Sequence, residues 1–390
     1  MMIKSVMDKI VIGVFGKINS GKSTLVNSLA KENVSIVSSV RGSTSDNVFR
    51  MTEIDGIGRV QLIDTAGYDD KGELAEDRLK KVEKAFCSAD LAIFVCGERL
   101  DSLDMFWLDK CKLDGKKYLV CHNITGYKND LGCNNESIAD GDNEIVIDAS
   151  DINQVELVVK KIKQHFSANK IDFLNGLVKQ GDTILLCVPQ DEGAPTGRLI
   201  LPQSITIREI VDKGANSIVA SKANFAKTYQ KFKTQVNLVI TDSSVFDFVY
   251  EIVGNETAIT SFSVLFAKYN GDIDTFIEGA NSLENLQDGD KVLIMEACSH
   301  TLSHKDIGSV LLPQLIKQYT KKQVAFEFLR GMDEPSDWSQ YKLVVHCGGC
   351  TQNRQYILSK INKCKQNNVQ ITNYGVLIAK IKGILDKIVY

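Results

Sequence analysis

The stretch from Gly16 to Ser23 reads Gly-Lys-Ile-Asn-Ser-Gly-Lys-Ser and matches G-x-x-x-x-G-K-[ST]. Its flanks fix what it can be. Ile10 to Phe15 is a short apolar run that reads as a strand, and Thr24 to Ala30 begins a helical pattern. Strand, glycine loop and helix in that order form a phosphate cradle, because loop N–H groups and the helix N-terminus converge on anionic oxygens. Lys22 reaches the terminal phosphates and Ser23 offers a hydroxyl to Mg²⁺. Gly16, Ser20, Gly21 and Thr24 complete the binding loop.

The following segments extend the same fold. "GRVQLIDTAG" is a strand that ends in Asp64-Thr65-Ala66-Gly67. Asp64 is placed to act on Mg²⁺ through its shell, and Gly67 lets the backbone meet a γ-phosphate. "ADLAIFVCG" and "KYLVCHN" are further buried strands separated by helical stretches, so a parallel sheet covered on both faces is expected. Thr44, in "RGSTSDN", is the candidate switch threonine that closes on Mg²⁺.

At 390 residues the chain exceeds one ordinary core. The expected organisation is α/β throughout: a P-loop domain over 1–168, then two smaller α/β domains over 169–268 and 269–390. In the middle unit, "DTILLCVP" is a strand, and a loop holding Pro189, Pro195 and Pro202 follows it. "ITIREIVDKGA" reads as a helix, "VNLVITD" as a strand, "SSVFDFVYEIV" as a helix and "SFSVLFAKY" as a strand. This unit carries no ligand motif, so association is its expected task.

The last unit repeats one arrangement. Val292 to Met295 is a strand with Cys298 just past its end, and Leu343 to Val345 is a strand followed by Cys347 and Cys350. Ligands of doubly wound sheets sit at the carboxyl ends of strands. Two strand ends thereby deliver Cys298, Cys347, Cys350, His300 and His346 to one edge. The ligand types fit either a structural Cys₃His zinc site or an iron–sulfur cluster. Gly348 and Gly349 leave room for the backbone beside a bound group.

Composition narrows the setting. No apolar run is long enough for a membrane helix. A net charge of −3 argues against a general nucleic-acid surface. The short apolar run near the N-terminus lacks a cleavage pattern, so the cytoplasm is the expected compartment, with ten cysteines as thiols or metal ligands. Cys87, Cys96, Cys111, Cys121 and Cys187 lie in apolar segments and read as small core residues. Cys364 reads as a helix-face bystander.

On Asn19 and Tyr68 the first domain resembles the potassium-dependent small GTPases, which include the tRNA-modifying GTPases. The resemblance implies that Asn19 binds K⁺. It also implies that the ion replaces the water-orienting glutamine, whose place after Asp64-Thr65-Ala66-Gly67 is taken by Tyr68. The base-reading motif of such proteins is N-K-x-D, and here it stands as Asn123-Ile124-Thr125-Gly126, without the lysine and the aspartate. "VIDAS" resembles the loop that meets the guanine oxygen, with Ala149 as the N–H donor. GTP is the nucleotide implied.

Cys298-x-His300, forty-five further residues, then His346-Cys347-x-x-Cys350 is the cluster signature of the FeFe-hydrogenase maturation GTPases, the HydF family. "APTGRLILPQ" is also similar to that family, and the resemblance spans GTPase, dimerisation and cluster-binding domains in order. It implies a homodimeric scaffold that binds a 4Fe-4S cluster. The scaffold receives a diiron precursor made with radical-SAM maturases and delivers it to apo-FeFe-hydrogenase, with no nucleic-acid or membrane partner. The fourth ligand is left among His300, His346, Asp191 and an exogenous group. The alternative is a potassium-dependent GTPase acting on ribosome or tRNA, with a structural zinc site.

Overall fold

A computed structural model describes residues 10–32, 47–71, 74–97, 99–124, 142–166, 172–174, 176–189, 199–297, 307–349 and 352–390. The chain divides into two compact units, 1–169 and 170–390.

In the first unit β1 (Ile10–Phe15), β2 (Val48–Ile54), β3 (Gly58–Asp64), β4 (Leu91–Cys96), β5 (Lys117–Asn123) and β6 (Glu144–Ile147) form one sheet in the order β2-β3-β1-β4-β5-β6. All pairs are parallel except β2 with β3, the antiparallel edge. The helices are α1 (Lys22–Glu32), α2 (Ala75–Ser88), α3 (Ser102–Leu113) and α4 (Ile152–Phe166). The central strands are apolar throughout because both faces are covered: every residue of β4 is buried. Two cores result. One packs Ile12, Val14, Leu25, Leu91, Ile93 and Val155 on one side of the sheet. The other packs Phe15, Phe86, Phe94 and Trp107 on the opposite side.

The second unit holds two four-stranded parallel sheets. The first contains β7 (Thr183–Cys187), β8 (Asn216–Ala220), β9 (Leu238–Thr241) and β10 (Ala258–Ser261) in the order β10-β9-β7-β8. Its helices are α5 (Leu201–Asp212), α6 (Lys222–Phe232), α7 (Phe246–Val253) and α8 (Phe262–Asn270). Next comes α9 (Ile273–Asn281). It leads into the second sheet, β11 (Lys291–Glu296), β12 (Ala325–Arg330), β13 (Leu343–His346) and β14 (Gln370–Asn373), in the order β12-β11-β13-β14. The remaining helices are α10 (Leu312–Thr320), α11 (Arg354–Gln366) and α12 (Tyr374–Ile381). The two sheets share one topology: the second strand lies on one side of the first, and the third and fourth lie on the other.

One expectation is corrected here. "SFSVLFAKY" does not form a strand. The short strand β10 ends at Ser261, whose hydroxyl accepts the N–H of Val264 and caps α8. Phe262, Val264, Leu265, Phe266 and Ala267 are all buried, because α8 packs against α5, α9, α11 and α12. A helix buried on nearly every side loses the 3.6-residue alternation that would distinguish it from a buried strand. The strand expected to close at Val345 also runs one residue further, to His346.

Candidate functional site

The loop between β1 and α1 occupies the point where the first sheet reverses its strand order, the expected place for a ligand. Asn19 holds the left-handed backbone at φ 62, a conformation asparagine tolerates, and its side chain is exposed. Lys22 is 6% exposed, and its amine donates to the carbonyl of Lys17 at 2.5 Å. Burial lowers its pKa, while the carboxylates of Asp64 and Asp69 oppose the change. Asp64, at the end of β3, has its pKa raised by burial and held back by a hydrogen bond from Ser23 and by the charges of Lys22 and Arg50. Its Oδ1 is buried and meets no hydrogen-bond donor among the described residues. Ser23 and Asp64 thus come together with an acceptor oxygen to spare, and this donor set fits Mg²⁺, a hard cation that takes oxygen ligands.

Asn123 ties the loop to the end of the sheet. Its Nδ2 donates to the Ser20 carbonyl at 2.9 Å, and its Oδ1 accepts the Ala149 N–H at 3.1 Å. The Ala149 N–H, expected to face a guanine oxygen, is engaged by Asn123 in this structure. Thr24 is exposed at the first turn of α1. Tyr68 turns away from the phosphate loop. It is buried, its ring stacks on Trp107 with centroids 5.8 Å apart, and its hydroxyl donates to Asp104. Burial and that carboxylate raise its pKa well above the ordinary phenol value. Asp104 in turn pairs with Lys17 at 3.2 Å.

Three of these contacts were missed from sequence: Lys17 with Asp104, Tyr68 with Asp104, and the Ile18 N–H with Asp69 Oδ1 at 2.8 Å. A signal existed for the first two. Asp101-Ser-Leu-Asp104 is a capping-box pattern, and α3 does begin there with both reciprocal bonds made. No local pattern marks Asp69.

The second candidate site lies at β11 and β13, the reversal point of the last sheet. Met295 pairs with His346 across these strands. The Cys347 N–H donates to the Met295 carbonyl at 2.9 Å, and the Cys347 Sγ accepts the Ala297 N–H at 3.1 Å. The two turns are therefore laced together, with the sulfur turned toward the chain immediately before Cys298. Gly349 has φ 67, which a side chain would resist. Asn270, at the end of α8, donates to the Gly348 carbonyl, and Arg354 reaches the carbonyls of Lys268 and Tyr269.

His346 is 1% exposed. Its Nδ1 lies 2.6 Å from the Cys347 carbonyl, which can only accept, so Nδ1 carries the proton. The buried Nε2 then keeps a lone pair, and no donor among the described residues reaches it. Burial pushes the imidazole pKa down to about 4, so the ring is neutral at physiological pH. A sulfur that accepts a backbone N–H at the end of a strand fits a thiolate ligand of a metal or cluster, while the neutral His346 ring packs edge-on against Tyr356. Cys298, His300, Cys350, Asp191 and Thr44 lie outside the described residues. Cys87, Cys96, Cys111, Cys121, Cys187 and Cys364 are buried, as small core residues should be.

Residues 173–271 match the family described as the hydrogen maturase F dimerization domain, and residues 274–390 match the hydrogen maturase F tetramerization domain. The chain belongs to the HydF family. Residues 11–124 match the 50S ribosome-binding GTPase family, so the α/β chain begins with a P-loop domain of the GTPase type. The second and third parts of this HydF-family chain are thus both oligomerisation domains by family, and the last one coincides with the cysteine site.

The GTPase part is similar to the tRNA modification GTPase MnmE of Mesoplasma florum, 30% identical over 152 residues, 39% of this chain and 33% of that protein. MnmE of Clostridioides difficile is 36% identical over 121 residues, 30% of this chain and 25% of that protein. GTPase Der of Wolinella succinogenes is 36% identical over 106 residues, covering 26% and 22%. The chain spans a third or less of the length of these relatives. Among solved structures, Era in complex with MgGDPNP and 16S ribosomal RNA aligns at 17% identity and a TM-score of 0.32, over 64% of this chain and 99% of Era. Among the described residues, no helix is long and apolar enough to cross a membrane.

Proposed function

We propose that this chain is a GTP-driven scaffold of hydrogenase maturation. In this reading it carries a 4Fe-4S cluster on Cys298, Cys347 and Cys350 and passes a diiron precursor from radical-SAM maturases to apo-FeFe-hydrogenase. The domains divide as 1–168 for nucleotide, 169–268 for dimerisation and 269–390 for the cluster, in a cytoplasmic protein. The observation that carries the reading is the Ala297 N–H bound to the Cys347 Sγ at 3.1 Å. It brings the turn that leads to Cys298 against the turn that leads to Cys350, at the reversal point of a parallel sheet.

A bound cluster would supply an iron with one exchangeable position, which a carrier needs for loading and release. The chain's own part is to present thiolates, to fix the His346 tautomer through the Cys347 carbonyl, and to leave the fourth place to His300, His346 or Asp191. In the nucleotide domain Lys22 neutralises the terminal phosphates, Ser23, Thr44 and Asp64 serve Mg²⁺, Gly67 meets the γ-phosphate and Asn19 serves K⁺. Asn123 and Ala149 form the wall for the base.

Anaerobic reconstitution with iron and sulfide tests the reading. Brown protein with about four irons per chain is expected, and it should lose that colour in Cys347→Ala. Colourless protein holding stoichiometric zinc would instead favour the rival reading, a potassium-dependent GTPase acting on ribosome or tRNA, as the name of the MnmE relatives invites.

A further inference from the structure

We propose that Asp69 sets the discrimination between nucleoside diphosphate and triphosphate, by holding its carboxylate where the terminal phosphate must go. The inference rests on the nucleotide reading of the first unit. Ile18 belongs to the phosphate loop, and its backbone N–H is one of the donors that loop presents to anions. In this structure that N–H donates to Asp69 Oδ1 at 2.8 Å.

The contact is built from both sides. Asp69 follows Gly67 by two residues, and Gly67 lies so close to the loop that a Cβ there would stand 2.6 Å from the Ile18 nitrogen and 2.9 Å from Asp69 Oδ1. Only glycine permits the approach. Tyr68, between them, points the other way and is anchored by its hydroxyl on Asp104 and its ring on Trp107. Asp104 is itself paired with Lys17 of the phosphate loop. The segment 67–69 is therefore held from behind by a buried phenol and in front by a carboxylate on the loop.

The charge environment identifies what the carboxylate replaces. Lys22, the lysine of the P-loop motif, senses the negative charges of Asp64 and Asp69 together. Its amine otherwise spends itself on the Lys17 carbonyl. A loop N–H, the motif lysine and the Gly67 backbone are the groups that serve a γ-phosphate, and Asp69 stands among them. An arriving terminal phosphate carries the same sign of charge and needs the same donor, so it must displace Asp69. A diphosphate held by the N–H groups at the start of α1 brings no charge to that place. Triphosphate binding then frees segment 67–69 from the loop, whereas diphosphate binding leaves it pinned.

The test uses the full chain with fluorescent GDP and a fluorescent non-hydrolysable GTP analogue. Asp69→Asn keeps an acceptor for the Ile18 N–H but removes the charge, and Asp69→Ala removes both. Each variant should bind the triphosphate about tenfold more tightly than the wild type, with GDP affinity changed by about twofold or less. Asp69→Glu should restore wild-type discrimination at least in part. Triphosphate affinity that is unchanged or weaker in both variants, or an equal gain for GDP, would overturn the proposal. Failure of the wild type to bind either nucleotide, or binding that is indifferent to Lys22→Ala, would sink the underlying nucleotide reading instead.

Discussion

Lys22 is nearly enclosed, burial lowers its pKa, and the carboxylates of Asp64 and Asp69 oppose that change. Lys22→Ala should therefore cut GTP hydrolysis by about a hundredfold or more, measured as phosphate release at saturating nucleotide, while leaving the fold intact. At Asn19 the backbone already occupies the left-handed region, so the residue has a turn role whether or not it meets an ion. Its proposed ion role has a separate signature. Hydrolysis should be faster in KCl than in NaCl at equal ionic strength, and Asn19→Gly, which keeps the turn, should erase the difference. Equal rates for the wild type in both salts would remove K⁺ from the account. At the second site the residues divide by chemistry. Cys347→Ala should lose its iron. His346→Ala should keep iron near the wild-type amount, alter the cluster's electron paramagnetic resonance, and cost about 1–3 kcal/mol in chemical denaturation, because a buried ring is deleted. Total loss of iron from His346→Ala would make the histidine an indispensable ligand.

At the scale of elements, α5 shows how a single carboxyl can fasten a chain entry. The two oxygens of Glu209 accept the N–H groups of Phe173 and Leu174, and Lys213 bridges to Asp172 beside them. Burial, and then the hydrogen-bonded Asp172 carboxylate, raise the Glu209 pKa to about 7. The folded chain then holds a proton that the unfolded chain, with an ordinary glutamate, releases near pH 4.5. Stability from this group is complete below that value and is lost as pH rises toward about 7. Glu209→Gln should flatten the difference in denaturation midpoint between about pH 5 and about pH 8, either side of the Glu209 titration; a parallel pH profile in the variant would count against it.

The elements also differ in what sequence could carry. The P-loop, the strand before it and Asp64 were legible because each follows from a local rule: apolar run, glycine spacing, helix start. The place of Cys347 at the end of β13 was legible because β11 and β13 are continuous apolar runs. Helix α8 was not, since its buried faces erase periodicity, and only Ser261 as a cap spoke for it. Strand β8 was not either, being a half-exposed edge strand of mixed character. The Asp69 contact was beyond reach because its partner, Ile18, is distant in sequence and is met only after the sheet is assembled.

For the whole molecule, two consecutive regions match domains named for dimerisation and tetramerisation, so the chain should not run alone. Light scattering at micromolar concentration should give a mass at least twice that of one chain, and a monomer at every accessible concentration would contradict it. The order of the last sheet also has a consequence for biosynthesis. Strands β11 and β13 are neighbours, yet β12 is made between them and β14 completes the far edge of β13. On a ribosome, the turn after β11 emerges long before the strand that will place Cys347 beside it. The turn after β11 therefore waits without its partner until β12 and then β13 have been made. If the site takes a cluster as proposed, iron can be captured there only once β13 has joined β11.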